Sequence, residues 1–503
     1  MSFEDERGAV TVADVARAVG GELRGEGGRI ALDVTRDSRK VRPGWVFVAI
    51  SGQNVDANRF VADAARAGAA AVVSEHERPA DFALPWIRVA EARRALALVA
   101  AEVHGHPSHR LKLVGITGTN GKTTTAYLLA AVAEAAGERV ALISTVEYRI
   151  ARESFAAEFT TPEATEVQRT LRRAVEKDCR TGVMEVSSQA LDLHRCDALR
   201  FEIAAFTNLT RDHLDYHGTM EKYFDAKRRL FDGRLGERPR VSILNADDEY
   251  GARLAAEVER AGGRVLRYGL GAGAELTARG VALSMGGMRF TLSTPEGERE
   301  VVSPLVGRPH VYNLLTAAAC GHALGFGLDT AVRAFQTCAG APGRFERVAH
   351  AGDFAVVVDY AHTDDALAGV LRTARDLTRG RVITVFGCGG ERDRTKRAPM
   401  GEIAARLSDV VIATSDNPRG EDPETILADI EVGLVSVGKP YKMIAERREA
   451  IHHAVREARD GDLVLIAGKG HEDYQIIGSE RRHFDDREVA REALAERGLS
   501  SAR

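Results

Sequence analysis

The chain has 503 residues, of which 44% are hydrophobic and 28% charged, with a formal net charge of -4. Length predicts about three domains at roughly 100–200 residues each, and the near-neutral balance argues against a nucleic-acid binder that relies on overall basic charge. The five cysteines, Cys179, Cys196, Cys320, Cys338 and Cys388, are widely spaced without a C-x-x-C, which argues against a disulfide framework or structural zinc and fits a reducing compartment. The first ten residues are polar and acidic, and no apolar run reaches the roughly 18–20 residues of a membrane helix. A cytoplasmic protein without membrane insertion is expected.

Three regions follow one another. In residues 1–106 the pattern predicts a strand over 44–50, a helix over 59–68, a strand over 69–73 and an alanine-rich helix over 91–103, a small α/β unit. His104-Gly105-His106-Pro107-Ser108 breaks the periodicity and reads as a linker. Residues 107–340 open with an apolar strand over 111–116, a glycine loop and a helix over 124–136 closed by Gly137. Residues 341–503 alternate: strands over 354–359, 381–386, 410–413 and 463–467, helices over 366–377, 398–407, 424–435 and 448–459. Such alternation implies a parallel sheet covered by helices, with ligands at the carboxyl ends of the strands. Four unusual polar segments fall at those ends: Asp359-Tyr360-Ala361-His362, Gly387-Cys388-Gly389-Gly390, Ser415-Asp416-Asn417-Pro418-Arg419 and Gly468-Lys469-Gly470-His471-Glu472.

The loop Gly118-Thr119-Asn120-Gly121-Lys122-Thr123 between strand and helix is a phosphate cradle. Glycines let the backbone aim N–H groups at phosphate oxygens, the helix dipole adds positive potential, Lys122 reaches outer phosphates and the Thr123 hydroxyl can ligate Mg²⁺. The common pattern wants glycine where Ile116 stands, so this is a variant loop. Glu185 ends the apolar stretch before Ser187-Ser188; a metal-holding carboxylate and a solvent-facing glutamate are equally compatible with that position. His213 and His217 are four apart, but Leu214 stands where a zinc helix needs glutamate, so zinc is rejected. By composition Lys227, in Tyr223-Phe224-Asp225-Ala226-Lys227-Arg228-Arg229, reads as one lysine on a solvated, charged face. Gly269-Leu270-Gly271-Ala272-Gly273-Ala274 lacks the context of a dinucleotide fingerprint and reads as a glycine-rich turn.

Taken together these segments, with Gly343-Arg344-Phe345-Glu346 and Asp37-Ser38-Arg39, resemble the Mur ligases, ATP-dependent amide-forming enzymes of peptidoglycan precursor synthesis. The resemblance covers nearly the whole chain. It implies an α/β fold of three domains: a small N-terminal UDP-binding domain, a central P-loop parallel-sheet domain and a C-terminal Rossmann-like domain. It implies two Mg²⁺ ions held by Thr123, Glu185, His213 and Lys227, the last as a carbamate (N6-carboxylysine). ATP would lie on Gly118, Thr119, Asn120, Gly121, Lys122, Thr123 and Thr124, with Asn313 and Arg344 on the nucleotide and Asp359 near the ribose. Ser38, Gln53, Asn54 and Val55 would hold the UDP end, and Thr160, Thr161, Ser187 and Arg195 the muramoyl-dipeptide. The expected reaction joins meso-diaminopimelate to the D-Glu γ-carboxylate of UDP-MurNAc-L-Ala-D-Glu through an acyl phosphate. A guanidinium fork suits the distal carboxylate of diaminopimelate, which singles out Arg419 in Asp416-Asn417-Pro418-Arg419. By resemblance Arg392, Gly468 and Glu472 complete that pocket. A relative that adds L-lysine, or a folylpolyglutamate synthase-like ligase, is the alternative, and a monomer is expected. The chain departs from the family at Arg308-Pro309-His310, where a Phe-Asn pair is usual, and at Thr363-Asp364, where Thr-Pro is common.

Overall fold

A computed structural model describes residues 8–52 and 55–500; Gln53 and Asn54, expected at the UDP end, lie outside the described residues. The architecture is α/β, built on three principal sheets, each with an apolar core on both faces. The first sheet runs in the order Glu22–Arg24, Trp86–Arg88, Ala71–Ser74, Trp45–Ala49, Asp33–Thr35 and is parallel apart from its first pairing. The helix expected over 59–68 starts instead as a 3-10 turn, Ala57–Phe60, before α-helical Val61–Arg66. Asp56 caps the turn by accepting from the Asn58 N–H, so the chain winds tightly there first.

Eleven strands form the second sheet. Lys112–Thr117 lies near its centre, hydrogen-bonded in parallel to Thr181–Glu185 on one side and Ile203–Phe206 on the other. The phosphate loop, Glu185 and the 207–213 segment therefore leave neighbouring strands at one rim. Beyond Val265–Gly269 an antiparallel meander, Leu276–Ser284, Gly287–Thr294 and Gly297–Ser303, extends the sheet. The glycine-rich stretch 269–274 is the turn leading into it; Asp247 accepts the N–H groups of Leu270 and Gly271 at 2.5 and 3.0 Å.

In the third sheet the order is Glu346–Arg347, Ala355–Asp359, Leu463–Ala467, Val382–Phe386, Val410–Ala413, Tyr441–Met443, parallel after the first pairing. Helices cover both faces, so its central strands are buried throughout and read as unbroken apolar runs. The order sets the four polar segments side by side along one rim. Among the described residues no helix is long and apolar enough to cross a membrane.

Candidate active site

Gly118 and Gly121 take φ of +145° and +86°. A Cβ on Gly118 would lie 1.9 Å from Thr207 Oγ1, and one on Gly121 would lie 2.4 Å from Asn313 Oδ1. Both positions thus require glycine for space as well as conformation. Asn208 braces the loop from the adjacent strand: its carbonyl accepts the Thr119 N–H at 2.8 Å and its Oδ1 the Asn120 N–H at 3.0 Å. The helix starts at Lys122, two residues before the expected Thr124, because Gly121 absorbs the left-handed turn immediately before it. The first-turn amides 122–124 have no intrahelical partner and form the anion-binding end. Lys122 Nζ folds back onto the carbonyls of Gly118 and Thr119, both at 2.8 Å. Burial pulls its ammonium pKa down while Glu185 opposes that.

Glu185 is fully buried, not solvent-facing. Its Oε1 accepts the Thr145 N–H at 2.7 Å, and its Oε2 accepts the Thr123 hydroxyl at 3.0 Å and the Thr145 hydroxyl at 3.2 Å. The solvated-face reading of Lys227 is corrected: only 1% of the residue is exposed. It lies three and four residues after Phe224 and Tyr223 on helix Met220–Arg228 and shares their inward face. Its Nζ donates to the Gly118 carbonyl at 2.9 Å and lies 4.5 Å from the Tyr223 ring centroid. Burial first, then Lys122, hold its pKa well below that of an ordinary lysine. His213 precedes the short helix Leu214–His217 with φ +52°, its Nε2 3.5 Å from Asp212 Oδ2. His217 turns elsewhere, stacking on Tyr223 and bonding Ser188 Oγ at 2.9 Å. Among the described residues no three His, Cys, Asp or Glu side chains form a metal-binding group.

Arg344 crosses from the third sheet's side to reach Thr123 Oγ1 at 3.4 Å, its guanidinium 4.6 Å from the Tyr360 ring centroid. Asn313, on helix Arg308–Leu324, sits beside Gly121. Asp359 accepts the N–H groups of Phe345 and Ala361 at 2.7 and 2.8 Å. Burial raises its pKa, with Arg344 opposing. On the other side of Glu185, the Thr161 hydroxyl donates to the Glu185 carbonyl and accepts the Ser187 N–H, both at 2.9 Å. Thr160 accepts from the Thr145 hydroxyl at 3.1 Å, and Arg195 bonds the Thr161 carbonyl at 3.1 Å. Arg195 also pairs with Glu163 at 2.7 Å, which in turn faces Arg36 of the first sheet's unit at 3.4 Å. Ser38 lies two residues on, in the turn Ser38–Lys40, and Val55 is exposed.

The third rim assembles the remaining candidates. Arg419, at φ +53°, donates to the Gly390 carbonyl at 2.8 Å. Arg419 and Arg392 flank Gly389, where a Cβ would lie 3.0 Å from Arg419 Nη1 and 3.8 Å from Arg392 Cγ. Pro418 presses its carbonyl on Gly390, and Gly468, at φ +121°, leaves room for Asp416 Oδ2. Asn417 donates to Glu472 Oε2 at 2.9 Å. Burial raises the Glu472 pKa, and Lys469 opposes. Three contributors escaped the sequence reading as individual residues. His471 lies tilted against Tyr360, with ring centroids 4.9 Å apart, and the Thr145 backbone is near enough to oppose the fall of its pKa. Burial depresses its pKa to about 3. Lys469 is fully buried, and Arg447 pairs with Asp486 at 2.7 Å, both without exposure. The polar segment 468–472 announced the first two; nothing local announces a pair 39 residues apart.

Arg344 reaches Thr123 at 3.4 Å and the Thr210 hydroxyl donates to Asp365 at 2.6 Å, so two polar rims on different sheets face one cleft. Family models match in three blocks: "Mur ligase family, catalytic domain" over 33–116, "Mur ligase middle domain" over 116–321 and "Mur ligase, glutamate ligase domain" over 343–470. The chain belongs to the Mur ligase family. It is 48% identical over 460 residues to the UDP-N-acetylmuramoyl-L-alanyl-D-glutamate–2,6-diaminopimelate ligase of Solibacter usitatus, covering 91% of this chain and 92% of that one. The enzyme of the same name from Geobacter sulfurreducens is 46% identical over 497 residues, covering 95% and 97%. A solved structure of a ligase of that name superposes with a TM-score of 0.71 at 33% identity, over 98% of this chain and all of the other.

Proposed function

We propose that this protein is the ATP-dependent ligase that joins meso-diaminopimelate to the D-Glu γ-carboxylate of UDP-MurNAc-L-Ala-D-Glu. The observation that carries the reading is the shared cleft: phosphate loop, Glu185 and Thr161 on one rim, Arg419 and Glu472 on the other, with Arg344 crossing to Thr123. The names of the relatives similar to this chain agree with it.

Amide formation from a carboxylate is uphill, so the carboxylate must first be activated. The amides 122–124 and Lys122, swung from the Gly118 and Thr119 carbonyls, hold the outer phosphates as charge moves. Thr123, Glu185, His213 and Lys227 form the donor set that would hold two Mg²⁺ ions, whose charge offsets that of the transferring phosphoryl group. Lys227 fits this set because burial favours its neutral amine and no carboxylate among the described residues forms an ion pair with it. A neutral amine adds CO₂ and loses a proton to become a carbamate, which gives a metal-binding oxygen pair. Arg195 and the Thr161–Ser187 network position the D-Glu end beside Glu185. The γ-carboxylate takes the γ-phosphoryl group and becomes an acyl phosphate; ADP leaves. The free amine of diaminopimelate then attacks the acyl carbon, and phosphate departs with the C–O electron pair and takes up the proton that the amine nitrogen loses. Arg419 and Arg392 receive the distal carboxylate, and a free oxygen of Glu472 receives the distal ammonium.

Phosphate release is measured with UDP-MurNAc-L-Ala-D-Glu, Mg-ATP and meso-diaminopimelate, L-lysine or no amine. Release that depends on diaminopimelate is expected. Equal release with lysine would remove the specificity, and release that ignores the amine would remove the ligase reading.

A further inference from the structure

We infer that Lys469 is a positioning residue for the amine acceptor: it fixes Asn417 and Glu472 so that one Glu472 oxygen stays free to read the distal ammonium. This rests on the acceptor site proposed above. The Lys469 side chain has no exposed surface, so it cannot meet the substrate. Its Nζ donates to Asn417 Oδ1 at 3.1 Å and to Glu472 Oε2 at 3.4 Å, and lies 3.7 Å from Asp416 Oδ1.

The amide of Asn417 can present its two ends either way round, and Lys469 chooses. Oδ1 accepts from Lys469 Nζ and from the Ile476 N–H at 3.0 Å. An amine and a backbone N–H both demand an acceptor, so the NH₂ end must face Glu472. It donates there to Oε2 at 2.9 Å. Oε2 is thus bonded twice, while Oε1 has no hydrogen bond among the described residues. The same cation lies between two carboxylates, Asp416 and Glu472, which would repel one another if left alone at this depth. Around Glu472 the other charged or titratable groups are Arg447, Tyr360 and Tyr474; of the charged groups among the described residues, Lys469 alone joins the Asn417 amide in hydrogen-bonding its carboxylate. Gln475 Nε2 on the Asp416 carbonyl at 2.7 Å and the Arg419 N–H on the Ile476 carbonyl at 3.0 Å weld the two loops. Removing the cation therefore disturbs Glu472 more than the path of the backbone.

The test uses the full chain with Lys469→Met and with Lys469→Gln, which keeps a donor for Asn417 but drops the charge. Initial rates are measured with meso-diaminopimelate and with 2-aminopimelate, which keeps the distal carboxylate and lacks the distal ammonium. In both variants the KM for diaminopimelate should rise about tenfold or more, with the KM values for ATP and the UDP-dipeptide within about twofold of the parent. The preference for diaminopimelate over 2-aminopimelate should collapse. An unchanged diaminopimelate KM in a folded variant, a preserved preference, or an equal rise in all three KM values would overturn the role. Two variants that both fail to fold would make Lys469 a determinant of the fold instead, and would equally overturn it. If the parent itself shows no diaminopimelate-dependent release, the acceptor site is misassigned and this inference falls with it.

Discussion

Gly121→Ala tests whether the nucleotide half of the site is built as described. Gly121 has φ +86°, where a Cβ costs about 1–2 kcal/mol. That Cβ would also lie 2.4 Å from Asn313 Oδ1, roughly 1 Å inside ordinary contact. The Asn313 amide must move, and the loop that aims the first-turn amides moves with it. Two effects follow: a stability loss of about 1–2 kcal/mol in urea unfolding, and a rise of roughly tenfold in the KM for ATP. Asn313→Ala separates them. It removes the clash without touching the backbone strain, so in the Gly121→Ala background it should cost less than in the parent, with a coupling of about 1 kcal/mol. The assay is initial-rate phosphate release against ATP at saturating UDP-dipeptide and diaminopimelate. Strict additivity of the two substitutions, or a Gly121→Ala variant with the parent's KM for ATP, would refute the reasoning.

Arg419→Ala should raise the KM for diaminopimelate far more than that for ATP, and equal effects would take the carboxylate contact away from Arg419. Arg447→Met strands Asp486 as a buried charge, so urea unfolding should report a loss of about 3–5 kcal/mol; a near-neutral result would mean the pair contributes little. His310 is buried, and its pKa is depressed to about 4. The unfolded chain therefore takes up a proton that the folded chain refuses as pH falls from about 6.5, the ordinary histidine value, towards 4. This penalty is absent above that window and reaches about 3 kcal/mol below it. His310→Gln should flatten the acid limb of stability against pH by that amount, and an unchanged limb would contradict a neutral buried ring.

The parts that were legible in the sequence share a physical cause. Strands Val382–Phe386 and Leu463–Ala467 are buried on both faces and so read as unbroken apolar runs, and the polar segments after such runs mark the carboxyl-end rim, where parallel sheets generally take their ligands. The phosphate loop is legible because its glycines, lysine and flanking elements are local. The meander over 276–303 was not read: its strands expose one face and mix polar with apolar side chains. Lys227 misleads by composition, although its spacing from Tyr223 and Phe224 held the correction. What no window could contain are the long-range partners: Lys469 meets Asn417 across 52 positions and Arg447 meets Asp486 across 39. The fold brings them together after the chain has left the window.

The crossing between the second and third sheets carries a mechanical consequence. Gly340, Gly343 and Phe345 all take positive φ within six residues, and Arg344, among them, reaches Thr123. Gly343 also lies so close to Gly470 that a Cβ there would sit 2.1 Å from the Gly470 carbonyl carbon. The turn that joins the second and third sheets and the arm that reaches the phosphate loop are therefore the same few residues. By lever geometry, a rotation about this turn would carry the far edge of the third sheet further than the Gly470 loop packed against Gly343.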